Sequence, residues 1–153
     1  MSSGAMIRLA RAGITVAGVA ALSFFAAAPA LADPTAEPSV SVNPSTDLKD
    51  GQSVTVSGAG YTAGQDFYVV QCGELQGAEV CDWVYGPAGV VDADGKVAAL
   101  LNVKATFIGY DENGDEVGPV DCTAAGSACT VGVFELQPAV RYGATSISFT
   151  APA

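Results

Sequence analysis

Four cysteines fall as two close pairs, Cys72 with Cys81 and Cys122 with Cys129, in a chain that opens with an export-like segment. In an oxidising compartment, an even cysteine count at short spacing implies a disulfide framework rather than a metal or redox site. Four cysteines permit three pairings, and the local spacing here favours 72–81 with 122–129. Each bridge would close a short loop, worth about 2.5 kcal/mol in the chain-entropy model. A small domain is typically stable by only about 5–15 kcal/mol. The pattern therefore specifies something small, rigid and exported.

Residues 1–32 carry the three parts of a signal peptide. Arg8 and Arg11 form a basic start, Gly13 to Phe25 is uncharged and apolar, and Ala30-Leu31-Ala32 precedes Asp33 as an A-x-A cleavage site. Ala12 to Ala32 is long enough to span a membrane. Pro29 and the small-residue site favour cleavage, and no cysteine follows the apolar run to take a lipid. The expectation is a cleaved signal peptide (1–32), a flexible leader (33–38) and one domain (39–153). The mature protein should be secreted, with no stable membrane association.

Cleavage leaves 121 of the 153 residues, enough for one core. It also removes two of the six basic residues, so four remain against 16 acidic ones, a net charge of 4 − 16 = −12. Affinity for nucleic acid comes from neutralising phosphates with Lys and Arg. Only Lys49, Lys96, Lys104 and Arg141 are left for that, and they are scattered. Direct DNA binding by the polypeptide is disfavoured. A self-repelling surface also favours a soluble monomer.

The mature chain reads as short alternating runs broken by turn residues. Val40 and Val42 alternate with serines, and Ser53-Val54-Thr55-Val56-Ser57 alternates strictly. Further runs are Phe67 to Cys72, Gly89 to Val91, Lys96 to Phe107, Pro119 to Cys122, Cys129 to Phe134 and Thr145 to Thr150. Asp92-Ala93-Asp94-Gly95 is a hairpin signal of the Asp-Gly kind. No segment carries a 3.6-residue apolar stripe. Such a pattern predicts an all-β, immunoglobulin-like antiparallel sandwich with two local disulfides.

Catalytic inventory is thin. The chain has no histidine, which removes the usual general base, zinc ligand and triad member together. With every cysteine oxidised no thiol nucleophile remains. The loop Asp111-Glu112-Asn113-Gly114-Asp115-Glu116 resembles a calcium loop at its first positions, but Glu116 stands where that loop needs glycine and Cys122 where it needs glutamate. No metal is expected, and an enzyme is not expected either. Asp92 and Asp94 are better suited to turn hydrogen bonds than to acid–base work. Most aromatic side chains are needed in the core, but Trp83 and Tyr85, on one parity after Cys81, are candidates for an accessible cleft.

Val42-Asn43-Pro44-Ser45 and Leu48 through Gly60 (LKDGQSVTVSGAG) resemble the amino-terminal signature of the neocarzinostatin family, the apoproteins of enediyne chromoprotein antibiotics. The similarity continues through Val70-Gln71-Cys72, Asp92-Ala93-Asp94-Gly95, Gly109-Tyr110, Val117 through Cys122, Cys129-Thr130-Val131-Gly132 and Ile147-Ser148-Phe149. It covers nearly all of residues 38–150. The resemblance implies a seven-stranded immunoglobulin-like sandwich with a small two-stranded ribbon beside it. It also implies a secreted, non-catalytic carrier of a non-covalent enediyne-type chromophore, with DNA reached only through the released chromophore.

Carried over by position, the cleft would take Cys72 and Cys81 as part of its floor, with Gly132 in a later strand and Phe134 two residues on. Trp83, Tyr85 and Tyr110 would supply aromatic walls, and Cys122–Cys129 would be the structural staple. Three aromatic positions of neocarzinostatin are occupied here by Glu74, Gly86 and Glu112. The alternative reading is a secreted immunoglobulin-like binding module with this fold and no enediyne ligand. A hydrolase is remote without histidine.

Overall fold

The computed structural model describes residues 37–151. The expected signal peptide, and all but two residues of the expected leader, lie outside the described residues. Ten strands follow one another: β1 (Ser39–Asn43), β2 (Ser53–Ala59), β3 (Asp66–Leu75), β4 (Ala78–Asp82), β5 (Ala88–Val90), β6 (Lys96–Asn102), β7 (Thr106–Tyr110), β8 (Glu116–Asp121), β9 (Cys129–Glu135) and β10 (Arg141–Ile147). They form a three-stranded sheet, β1-β2-β6, and a seven-stranded sheet, β10-β9-β3-β4-β7-β8 with β5 beside β3. All of their pairings are antiparallel. The architecture is the all-β sandwich with two local disulfides that the sequence pattern implies.

Alternation builds the core. Successive side chains of a strand face opposite sides of its sheet. In β2, Val54 and Val56 are buried while Ser53, Thr55 and Ser57 are exposed. In register, Val56 lies opposite Val42 of β1, and Val54 opposite Leu101 of β6. These residues pack against Phe67 and Val69 of β3, Phe107 of β7, Val120 of β8, and Val131 and Val133 of β9. Fully burying one such side chain is worth about 1.5–3 kcal/mol. Leu48, wholly buried, closes one end of the sandwich: its N–H donates to Ser148 O at 3.0 Å, and Thr150 N–H donates to its carbonyl at 2.9 Å.

Three details depart from the alternation pattern. The run Lys96 to Phe107 is two strands, because the chain bends at 103–105 and passes from one sheet to the other. The Asp92–Gly95 turn exists, with Gly95 N–H donating to Asp92 O at 3.1 Å, yet it joins β5 to β6 in different sheets. Asp92 Oδ1 accepts from Asp94 N and Lys96 N, each at 2.9 Å, the turn role expected of it. β4 is a strand although its sequence, Ala-Glu-Val-Cys-Asp, has little β character. Its partner and its disulfide place it: Cys81 lies opposite Cys72 in register.

Candidate functional site

The seven-stranded sheet buries one face in the sandwich. The candidate site lies on its other face, and strand parity decides what stands there. In β9, Val131, Val133 and Glu135 point into the sandwich, so Gly132 and Phe134 face outward. In β3, Phe67 and Val69 are core, so Tyr68, Val70 and Cys72 face outward. The registers bring these residues side by side. Tyr68 pairs with Phe134, Val70 with Gly132, and Cys72 with both Thr130 and Cys81. Cys81 in turn pairs with Tyr110, and Phe134 with Tyr142 of β10.

Both disulfides are formed as the local spacing favours, Cys72–Cys81 and Cys122–Cys129. They occupy different environments. Cys122 and Cys129 belong to the main core, whereas Cys72 and Cys81 form a separate apolar cluster with Val70, against which Phe134 packs. Three rings run in a row above that cluster. Trp83 meets Phe134 at 4.9 Å with a tilt of 54°, and Phe134 stacks on Tyr142 at 4.2 Å and 27°. On the Trp83 side of Phe134 a trough of about 170 Å³ opens, lined by Tyr68, Val69, Val70, Trp83, Gly86, Phe134 and Leu136.

Gly86 is required for the trough to have this shape. A Cβ there would run into the carbonyl oxygen of Val69, and no side chain fits so close to backbone. The segment after Cys81 is also fastened from below. Asp82, nearly buried, accepts from Lys104 Nζ at 2.9 Å and from Val84 N at 3.3 Å. The Gln71 amide grips the Lys104 backbone at both ends, donating to its carbonyl at 2.6 Å and accepting from its N–H at 2.9 Å. These contacts fix the base of the segment that carries Trp83.

Of the residues expected in the cleft, Cys72, Cys81, Gly132, Phe134 and Trp83 are gathered around the aromatic row. Tyr110 stands on the far side of the disulfide, paired with Cys81 and outside the trough lining. Tyr85 turns elsewhere: 70% exposed, its ring lies beneath Lys104 Nζ at 3.6 Å, so it clamps a loop edge. Tyr68, Val70, Leu136 and Tyr142 were not singled out from the sequence. The parity of β3 was available to find the first two, but Tyr142 needed the β9–β10 register.

Polar groups at the inner end are sparse. Burial and the charge of Glu79 push the Tyr142 phenol up from its ordinary value, with the Thr130 hydroxyl opposing them. The Tyr142 and Thr130 hydroxyls are buried together there, with no further hydrogen-bond partner. Cys72, Glu79 and Cys81 lie close together, but the two sulfurs are bonded to each other, which leaves one carboxylate and no thiolate for a metal. The acidic loop is a self-satisfied turn, Asp111 Oδ1 accepting from Asn113 N and Asp115 N at 2.9 Å each. The arrangement suits a flat apolar ligand stacked on rings. An aromatic group fits it, whereas hydrolytic chemistry has no residues here.

Comparison with known proteins finds similarity across nearly the whole domain. The family model described as the neocarzinostatin family matches residues 40–149. Macromomycin of Streptomyces macromomyceticus is 39% identical over 127 residues, covering 82% of this chain and 84% of its own. The antitumor antibiotic C-1027 apoprotein of Streptomyces globisporus is 37% identical over 117 residues, covering 76% and 79%. Among solved structures, macromomycin superposes with a TM-score of 0.66 at 33% identity, covering 74% of this chain and 99% of its own. Apokedarcidin does so at 0.57 and 35%, covering 75% and 100%. The chain belongs to the neocarzinostatin family, whose members are non-enzymatic carrier apoproteins.

Proposed function

We propose that the mature chain, exported after removal of residues 1–32, is a monomeric carrier that holds an enediyne-type chromophore without a covalent bond. The released chromophore, not the polypeptide, would act on DNA. The observation that carries this reading is the row Trp83–Phe134–Tyr142 above Cys72–Cys81, in a chain of this family. A preformed apolar trough loses little ordering entropy on binding, which suits storage of a labile ligand. The net charge of −12 after cleavage agrees with a polypeptide that does not itself grip DNA.

Trp83 is the only tryptophan and touches Phe134, so it reports on the site directly. Titration with an enediyne or a polycyclic analogue should quench its emission. A ligand at one hundred times its Kd should add about 2.7 kcal/mol of stability. Unchanged fluorescence and an unchanged melting temperature at saturation would sink the proposal. One expectation from the resemblance favours the binding module without an enediyne: it would place aromatics where this chain has Glu74, Gly86 and Glu112. Native mass spectrometry of the secreted protein separates the two, since only the carrier travels with a companion mass.

A further inference from the structure

Trp83 forms one wall of the trough, and few contacts hold the segment that carries it. Among the described residues, residues 83–86 make no backbone–backbone hydrogen bond. The chain is tied again just beyond them, where Val69 N–H donates to Pro87 O at 2.9 Å. Side chains therefore decide where the span between stands. Trp83 is partly exposed, and its ring contact is with Phe134 at 4.9 Å.

The two residues that bracket Trp83 and Val84 meet at one ammonium group. Lys104 Nζ lies 2.9 Å from Asp82 Oδ2 and 3.6 Å from the centroid of the Tyr85 ring. The cation stands on a fixed base, since the Gln71 amide holds both the N–H and the carbonyl of Lys104. Together with Leu101 and Asn102, these groups leave between them a crevice of about 10 Å³, the space of a single water at most. Tyr85 is largely exposed, so apolar burial does not explain where its ring lies; attraction of a cation to the ring face does. An anchored charge thus fastens two points of a span that the backbone leaves loose.

We propose that Tyr85 and Lys104 are positioning residues for the aromatic site. By gripping the Asp82 carboxylate and the Tyr85 ring together, the ammonium holds Trp83 against Phe134 and keeps the trough in its ligand-accepting shape. Neither residue lines the trough, so both act through Trp83 rather than on the ligand. The proposal rests on the carrier reading above and concerns the wall of the same site.

Tyr85 carries the test, because its exposed ring is removed at little cost to the core, whereas removing Lys104 strands the nearly buried Asp82 carboxylate. Mature wild type, Tyr85→Leu and Tyr85→Phe are titrated with phenol, and affinity is read from the NMR shift of the Trp83 indole N–H. Tyr85→Leu should weaken phenol binding about two- to fivefold, the effect of losing one exposed cation–ring contact that favours the binding-competent wall. In ligand-free protein it should also weaken the NOEs between the Trp83 and Phe134 rings. Tyr85→Phe, which keeps a ring face for the ammonium, should match wild type in both. In a folded Lys104→Met background, Tyr85→Leu should change nothing further, and an additional loss there would overturn the role of Lys104. Should Lys104→Met not fold, the two Tyr85 variants decide alone. Equal affinity and equal NOEs in wild type and Tyr85→Leu would overturn the inference and leave the carrier reading intact, as would either change without the other. Absence of phenol binding to wild type would overturn both.

Discussion

Tyr61, buried, and Tyr142, half-buried, are phenols on opposite faces of one sheet, and burial acts on both in the same direction. Tyr61 donates to Val133 O at 3.1 Å inside the sandwich. Burial raises its pKa well beyond the ordinary phenol value, the Gly143 backbone opposing and Glu135 adding to the rise. Tyr142 is raised by burial and by Glu79. A raised folded pKa favours the neutral form, so the contribution to stability is complete below the unfolded value of about 10 and is lost as pH climbs above it. Absorbance at 295 nm should therefore show two of the five tyrosines ionising late, with unfolding free energy falling over the same alkaline range. Tyr142→Phe should delete one late step and leave the other. This was the least legible residue of the site: Trp83 and Gly132 stand beside cysteines in the sequence, while Tyr142 is an unremarked tyrosine after a loop. Tyr85 stands apart from the row for a related reason, since parity with Trp83 holds only while the chain stays extended, and Gly86 lies against β3.

At the scale of elements, the sequence announced strands whose alternation is set by one buried face, such as β2, and hid those placed by a partner. β4 is held by register and by Cys72–Cys81. β5, three residues long, is held by pairing with Asp66 to Tyr68. β4 has no hydrophobic signal of its own, so periodicity leaves it out, whereas β5 falls within one residue of the Gly89 to Val91 run. The two disulfides then separate by element. Cys122–Cys129 ties the end of β8 to the start of β9 within the main core, and Cys72–Cys81 joins β3 to β4 beneath the aromatic row. Replacing Cys122 and Cys129 by alanine should cost about 2.5 kcal/mol from chain entropy, together with lost packing. In protein that remains folded, the affinity for an aromatic probe should hold. Replacing Cys72 and Cys81 should weaken that affinity as well as stability. Urea unfolding beside Trp83 titrations would measure both, and equal effects of the two pairs on binding would contradict the division.

For the whole molecule, the sandwich puts the main core and the candidate site on opposite faces of the seven-stranded sheet. The face shared with the three-stranded sheet carries the main core, and the other carries Val70, Cys72, Cys81 and Phe134 as a separate cluster. An outer face of this kind can vary its side chains without repacking the interior. Leu48 and Phe134 make the division measurable. Leu48 is wholly buried at the closed end of the sandwich, and truncating such a leucine to alanine costs about 2–5 kcal/mol. Leu48→Ala should lower the urea midpoint strongly and leave Trp83 quenching by an aromatic probe unchanged below the transition. Phe134 is half-buried and touches both other rings of the row. Phe134→Ala should therefore lose probe binding while losing less stability than Leu48→Ala, because its ring already meets solvent in the folded state. If Leu48→Ala lost binding in fully folded protein, the two faces would be coupled through the sheet, and the outer one could not change its ligand independently of the core.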